Sequence, residues 1–404
     1  MNSEYSVFQI GSRMHYAIPE MLEELELLET FYTDIVGTKG WPNLIKVIPS
    51  KLLPVSMVKL IHRQPKIPSN KIKHYPMLGL QIGYKLSKSD SLERNLEIYN
   101  WYNKAFQNLA KRDIAYPPKK IYSFNGASLE LFETYKDTSL KVLEQTIAPF
   151  FKEMEILEPH FSSLSNWSLG ELNYHSKPSQ EFANRELEEM KLADKIICAS
   201  DFVKDSMIEL GVSSSKIKVV PYGVNLDFFQ RRKEYSIHKN RKLKVLTVGR
   251  IGVRKGAHHV LEIAKRMKNI AEFTMVGPIE VSDKALVQIT EYINVVPSVS
   301  KEKLLDYYED SDVFLLPSLC EGSATVVYEA LAMGLPCVVT KNTGSILTNG
   351  IAGFVTETNN LDEIESRLIS LLDSELRIKL AEEALELSKE GSINAYKQRL
   401  KMEL

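Results

Sequence analysis

The chain has 404 residues, 44% of them apolar and 25% charged, with a formal net charge of −1. That length fits two domains better than one, and no run reaches the ~18 apolar residues of a membrane-spanning helix. Its three cysteines, Cys198, Cys320 and Cys337, are scattered with no CxxC, which argues against a disulfide framework or a cysteine metal centre and reads as reduced core thiols.

The opening MNSEYSVFQIGSRMHYAIPE has no basic stretch followed by an apolar one, so no signal peptide is expected and a cytoplasmic location is. VFQIG (7–11) reads as a strand ending in glycine, followed by helical signals over 16–30, and FYTDIV (31–36) as a second strand. From Lys39 to Lys88 come ten Lys/Arg and no Asp or Glu, which leaves 41 basic and 52 acidic residues elsewhere. This stretch is also rich in Leu, Ile and Val and is broken by six prolines, so loops and short helices are expected. Basic plus apolar suits a surface for a membrane face or an anionic acceptor, and a locally basic solvated face is the competing reading. Nucleic acid is not an expected partner, because the motifs of its readers are absent.

Residues 92–112 read as an amphipathic helix. IYSFNG, KVLEQTI and KIICAS read as strands, and 180–193 and VKDSMIEL as helices. Asp227 to Lys242 is charged and strand-poor, and is the expected linker. A second strand–helix series follows: LKVLTVG (243–249), helix 258–268, EFTMVG (272–277), YINVV (292–296), helix 301–309, VFLLP, CVVT, GFVTE and helix 361–372. Tail helices are expected over 374–390 and 392–404. Alternation in both halves predicts an α/β chain of two doubly wound, Rossmann-like domains. The domains are placed at 1–226 (with 39–88 as an insertion) and 243–385, with linker 227–242 between them and tail 386–404.

The segment 313–356 carries only three charged side chains, Glu321, Glu329 and Lys341. VFLLP is a buried strand, Ser323 a candidate N-cap for a helix running to about Met333, and Gly334-Leu335-Pro336 its stop. Glu321 then sits at the carboxyl end of a strand, where open α/β sheets bind ligands. Glu329 shares a helix face with Thr325, while Val327 and Leu331 point to the core. Gly322 closes the turn, and the N–H groups of Ser323, Ala324 and Thr325 can hold a phosphate. An anion site flanked by acceptors suits a nucleotide-sugar. A second cluster, VGRIGVRKG, places Gly249 at another strand end with Arg250 and Lys255 around a turn, suited to a diphosphate. Arg254 is expected to face solvent. Backbone near Val296 is the expected base contact. A dinucleotide cofactor is not expected, because GxGxxG is absent. Asp310-Ser311-Asp312 is read as a turn at the wrong sheet edge to bind a metal–nucleotide, and no metal or other cofactor is expected.

Pro317-Ser318-Leu319-Cys320-Glu321-Gly322 followed by Glu329-Ala330-Leu331-Ala332-Met333-Gly334-Leu335-Pro336 resembles the signature of retaining glycosyltransferases of family 4 (glycosyl transferases group 1). Gly249-Arg250 with Lys255-Gly256 is similar to that family's G-R-x-x-x-x-K-G. The resemblance implies a GT-B fold, two Rossmann-like domains facing across a cleft, with an N-terminal acceptor side and a C-terminal donor side. Its last helix would return to the N-terminal domain. It implies transfer of a sugar from a nucleoside-diphosphate sugar to a glycan, glycolipid or polysaccharide acceptor with retained configuration. A lipid-linked acceptor would bring the chain to the inner face of the membrane. Glu321, Arg250 and Lys255 would be catalytic. Gly11, Gly249, Gly322, Ser323, Ala324, Thr325, Glu329 and Val296 would bind the donor, and Arg13 and His15 would face the acceptor. Tyr222-Gly223-Val224 would line the hinge. Alternatives are a GT-B epimerase or phosphorylase, or an inactive nucleotide-sugar-binding subunit. The sequence departs from the family in Ala324, where many members carry glycine. It also lacks a histidine in Glu144–Pro149, with His160 the candidate substitute.

Overall fold

The structure, a computed structural model, describes residues 4–167, 173–231 and 241–404. Most of the expected linker, 232–240, lies outside the described residues. Contacts divide the chain into two compact units. The first comprises Met1–Thr146, Leu172–Ile197 and Gly211–Lys218; the second comprises Ile147–Glu171, Cys198–Leu210 and Val219–Leu404.

The first sheet has seven strands: β1 (Tyr5–Gln9), β2 (Leu28–Thr33), β3 (Ile72–His74), β4 (Lys120–Phe124), β5 (Leu140–Gln145), β6 (Lys195–Cys198) and β7 (Ile217–Val219). Their order is β3-β2-β1-β4-β5-β6-β7. β1 is buried along its whole length and pairs in parallel with both β2 and β4. The chain reverses its winding between β1 and β4, so their carboxyl ends open a crevice there. β3 was not expected from the sequence, because three residues between prolines carry almost no period.

In the basic segment, proline opens the helices. Pro42 and Pro76 occupy their first turns, where a missing N–H costs nothing, and Pro54 precedes the helix Val55–Ile61. The helix over 92–112 is realised as Leu92–Asp113, capped by Ser91 accepting from the Arg94 N–H. The helical signal at 16–30 is cut short. The helix spans Ala17–Glu24, and Leu28–Thr33 is already strand, because Glu26 takes a left-handed backbone (φ 58°) that ends the helix.

The second sheet holds β8 (Leu243–Val248), β9 (Ala271–Val276), β10 (Ile293–Val296), β11 (Val313–Leu316), β12 (Cys337–Thr340) and β13 (Gly353–Thr356). Their order is β10-β9-β8-β11-β12-β13. Every residue of β11 and β12 is buried, as expected of parallel strands covered on both faces. Val327 and Leu331 face this core beside Leu246, Phe314 and Val339. The switch point lies between β8 and β11, where Leu246 stands opposite Phe314. The tail helices Ser374–Glu390 and Ile393–Glu403 follow, and the second is tied to residues 221–224. Ile393 N–H donates to Val224 O at 2.9 Å, and Arg399 donates to Pro221 O at 2.8 Å.

Candidate functional site

The carboxyl ends of β8 and β11 carry the two sequence clusters side by side. Gly249 follows β8 with φ 128°, and a Cβ there would lie 2.9 Å from the Lys255 Cδ, so glycine leaves the lysine stem its path. Gly256 has φ 73°, and a Cβ there would fall 2.1 Å from the Pro317 carbonyl oxygen. The turn Val253–Lys255 can therefore lie against the chain leaving β11, and Leu319 N–H donates to Arg254 O at 2.9 Å.

This docking brings Lys255 Nζ to 3.1 Å from Glu321 Oε1, with both side chains largely covered. Arg254, expected to face solvent, is instead built into the site. Its Nε donates to Cys320 O at 2.9 Å and its Nη1 lies 3.1 Å from Glu153 Oε2. Glu153 stands on the helix Phe150–Ser163, an element not expected from the sequence. Burial raises its carboxyl above the usual range, and the Arg254 charge pulls the other way. Arg250 points outward, its guanidinium on Glu280 and its side chain 65% exposed.

Ser323 is not the N-cap. The helix spans Thr325–Ala332 with Ala324 at the cap position, and the Ser323 hydroxyl lies 2.7 Å from the Tyr328 hydroxyl. The Ala324 N–H is not free for a ligand either, since it donates to Thr343 O and Gly344 O. Among the described residues, the N–H groups of Gly322, Ser323 and Thr325 donate to no protein acceptor. A compact anion therefore meets N–H donors on either side of Ala324, at the positive end of the helix.

Glu329 lies one turn after Thr325. Its Oε2 accepts from the Tyr308 hydroxyl at 2.9 Å. Burial raises the Glu329 carboxyl, opposed first by that hydrogen bond and then by Lys301 and Lys255. Tyr308, fully buried on the helix Lys301–Glu309, was missed from the sequence, where YYED gives no sign of which tyrosine turns inward. Val296 ends β10, and its carbonyl accepts from Gly277 N–H at 2.9 Å. Asp310 and Asp312 lie at the opposite, amino edge of β8 and β11, paired with Lys244 and Arg241.

The first unit shows its own cluster at the β1–β4 switch point. The Gly11 N–H donates to Asp34 Oδ1 at 3.0 Å, and Asp34 also accepts from Tyr102 at 2.9 Å and Arg63 at 3.1 Å. Arg13 donates to Asn125 Oδ1 at 2.8 Å and Thr146 Oγ1 at 3.0 Å. Met14, His15 and Tyr16 take consecutive left-handed backbones (φ 47°, 50° and 67°), a strained run of non-glycine residues of the kind found at working sites. His15 is exposed.

Residues 228–391 match the family described as glycosyl transferases group 1, and residues 159–228 match Glycosyltransferase Family 4. The UDP-Gal:alpha-D-GlcNAc-diphosphoundecaprenol alpha-1,3-galactosyltransferase of Escherichia coli is 30% identical over 46% of this chain and 53% of its own length. An N,N'-diacetylbacillosaminyl-diphospho-undecaprenol alpha-1,3-N-acetylgalactosaminyltransferase of Campylobacter jejuni is 27% identical over 52% of this chain and 59% of its own. The chain spans about half the length of these curated relatives. Among solved structures, sucrose-phosphate synthase from Thermosynechococcus elongatus superposes with a TM-score of 0.65 at 14% identity, covering 98% of this chain and 97% of its own. At that identity the likeness speaks for the fold alone.

Proposed function

Because the chain belongs to the glycosyltransferases of group 1 and family 4, built on the GT-B fold, we propose that it moves a sugar from a nucleoside-diphosphate sugar to a lipid-diphosphate-linked glycan, with retention of configuration. The observation that carries this reading is the Lys255–Glu321 pair set beside the open N–H groups of Ser323 and Thr325. A cation, a helix N-terminus and a carboxylate thus converge at one strand end. Sugar transfer breaks the bond from the anomeric carbon to the diphosphate, so negative charge grows on the phosphate oxygen while the ring becomes positive. Lys255 and the helix N–H groups meet the first charge. Glu321 accepts from a sugar hydroxyl and fixes the donor's orientation. Arg250 exchanges Glu280 for a phosphate oxygen when the donor binds. Glu329, held by Tyr308, accepts from the ribose hydroxyls. Gly249, Gly322 and the Ala324 turn shape the diphosphate seat, and backbone next to Val296 meets the base. In the first unit, Gly11, Arg13 and the left-handed turn at His15 face the donor phosphate or the acceptor.

The acceptor class follows the two relatives, whose names place them on diphosphoundecaprenol-linked sugars. The basic segment supports it. Leu44, Val47, Leu52, Met77 and Tyr84 are more than 60% exposed there, beside the exposed Lys51, Lys59, Lys66, Lys85 and Lys88. Lys39, Arg63 and Lys71 instead bond inside the first unit. Apolar side chains among solvated lysines fit peripheral contact with an anionic membrane face. No helix among the described residues is long and apolar enough to cross a membrane.

The test is release of nucleoside diphosphate from a panel of UDP-, GDP- and ADP-sugars, with and without a polyprenyl-diphosphate-linked acceptor. The anomeric configuration of the product is read by NMR. Acceptor-dependent release with the donor's configuration kept supports the proposal. Donor binding without turnover for any acceptor overturns it in favour of a nucleotide-sugar sensor, and an inverted product overturns retention.

A further inference from the structure

Behind the site, three histidines that the sugar-transfer chemistry does not use come together. His160 lies on the helix Phe150–Ser163; His258 and His259 lie in the first turn of the helix Ala257–Met267. One ring nitrogen from each lies within 4.8 Å of the others. The His258 and His259 ring centroids are 4.1 Å apart, and His160 sits 5.2 and 5.8 Å from them. We propose that His160, His258 and His259 form a binding site for one divalent transition metal of the zinc type, tying the helix Phe150–Ser163 to the turn that carries Lys255.

Three observations carry the assignment. Both ring nitrogens of His258 and the Nδ1 of His259 are buried without a protein partner. A neutral imidazole carries one N–H and one lone pair, so three packed rings leave at least one buried polar atom unsatisfied unless something accepts their lone pairs. The second concerns His259, whose ring lies beside the Pro317 carbonyl while its Nδ1 has no protein partner. A carbonyl beside an imidazole draws the ring proton to the nitrogen facing it and leaves the other lone pair for a ligand, the arrangement that outer-shell carbonyls impose on metal-binding histidines. Finally, the donor set is chemically uniform. Three imidazoles with no carboxylate suit Zn²⁺, Cu²⁺ or Ni²⁺ and exclude Mg²⁺ and Ca²⁺, which take oxygen ligands.

Metal–nitrogen bonds of about 2.0–2.1 Å require ligand nitrogens about 3.4 Å apart. From spacings of up to 4.8 Å, the three nitrogens would draw inward on binding the metal. Three protein ligands leave a fourth position for water or hydroxide. The metal would act at a distance from the reacting atoms, as a positioning clip. It fixes His259 on Pro317 and the helix that bears Glu153, and so fixes the Arg254–Glu153 and Lys255–Glu321 pairs. The inference does not rest on the sugar-transfer reading.

The experiment uses untagged full-length protein, stripped with a chelator, loaded with Zn²⁺, desalted and measured for bound metal. Wild type should retain about one equivalent, and Co²⁺ in its place should give the intense visible absorption of a four-coordinate nitrogen site. His160→Ala and His258→Ala should each weaken Zn²⁺ binding at least about 100-fold, since loss of an outer-shell partner alone weakens metal sites 10- to 100-fold. His62→Ala, an exposed histidine elsewhere, should retain wild-type binding. Wild type retaining no more metal than the His160/His258 double variant overturns the site. If a variant fails to fold, the wild-type Co²⁺ spectrum still decides: weak six-coordinate absorption overturns the proposal.

Discussion

Lys255 Nζ and Glu321 Oε1 lie 3.1 Å apart although the two residues come from different strand ends of the second sheet. In the proposed reaction the pair balances its own charge until a diphosphate arrives, after which the ammonium has two anionic neighbours and the carboxylate turns to a sugar hydroxyl. Lys255→Met should lower turnover roughly 100- to 1,000-fold, the usual loss for one donor aimed at developing negative charge. Glu321→Gln should lower turnover with little change in donor affinity. Steady-state release of nucleoside diphosphate, with donor affinity measured separately, checks both. Wild-type turnover in Lys255→Met would remove lysine from the leaving-group role.

Tyr308→Phe should act through Glu329. The hydroxyl lowers the Glu329 carboxyl against the larger upward push of burial. Without it, the carboxyl rises further and accepts a proton at a higher pH. The variant should raise the KM for donor about 10-fold, in line with ~1.5–3 kcal/mol for a hydrogen bond to a charged group. The acid limb of its kcat/KM profile should move upward. A pure packing role would lower stability without moving that limb.

Much of this site was legible because the residues that make it are close in sequence and chemically isolated. Glu321 and Glu329 stood out as lone carboxylates between apolar strands, and both strands formed as expected. Arg254, Glu153 and Tyr308 were not legible. Each matters through a partner far away in sequence: Glu153 is 101 positions before Arg254, and Tyr308 is 21 before Glu329. Ser323 failed as a cap for a local reason. Its hydroxyl found Tyr328, and Thr343 O and Gly344 O took up the Ala324 N–H, so the helix begins one residue later than the cap rule places it.

Glu189 gives a pH dependence in the first unit. It is fully buried, accepts from the N–H groups of Gly126, Ser128 and Leu129, and its carboxyl is raised from 4.5 to about 7, mainly by burial. A carboxyl raised by folding stabilises the fold fully below its unfolded value and loses that contribution as pH rises through the folded one. Wild type should therefore lose stability relative to Glu189→Gln between pH 4.5 and about 7, by roughly 3 kcal/mol at ~1.36 kcal/mol per unit. Denaturant unfolding of both proteins at pH 5 and pH 8 measures it. A wild type that gains stability relative to Glu189→Gln from pH 5 to pH 8 would reverse the sign and refute the assignment.

The exposed stretch around Leu44, Val47 and Leu52 tests the proposed membrane contact. Replacing all three with serine should reduce binding to vesicles of mixed neutral and anionic lipid about 10-fold or more, since each buried apolar side chain contributes ~1.5–3 kcal/mol at full burial. Lys46→Ala with Lys51→Ala should weaken binding by about 1 kcal/mol per lysine and flatten its salt dependence. Vesicle sedimentation reads both. Equal binding by wild type and the serine variant would remove this face from the interaction.

Gly256→Ala tests whether the two clusters must touch. The φ of 73° is left-handed, and a Cβ would fall 2.1 Å from the Pro317 carbonyl oxygen, which is backbone and has no side-chain freedom to withdraw. The alanine must therefore lift the turn Val253–Lys255 off the chain leaving β11. That movement breaks the Arg254 carbonyl bond to Leu319 and separates Lys255 from Glu321. A left-handed non-glycine residue costs about 1–2 kcal/mol before any clash, and the lost contacts add to it, so a stability loss of about 2–4 kcal/mol is expected. Turnover should fall at least as far as in Lys255→Met, because the displaced turn carries Arg254 as well as Lys255. Thermal unfolding and donor turnover measured on the same preparation separate the outcomes. A stable variant with normal turnover would mean that the approach of Gly256 to Pro317 is not what assembles the site.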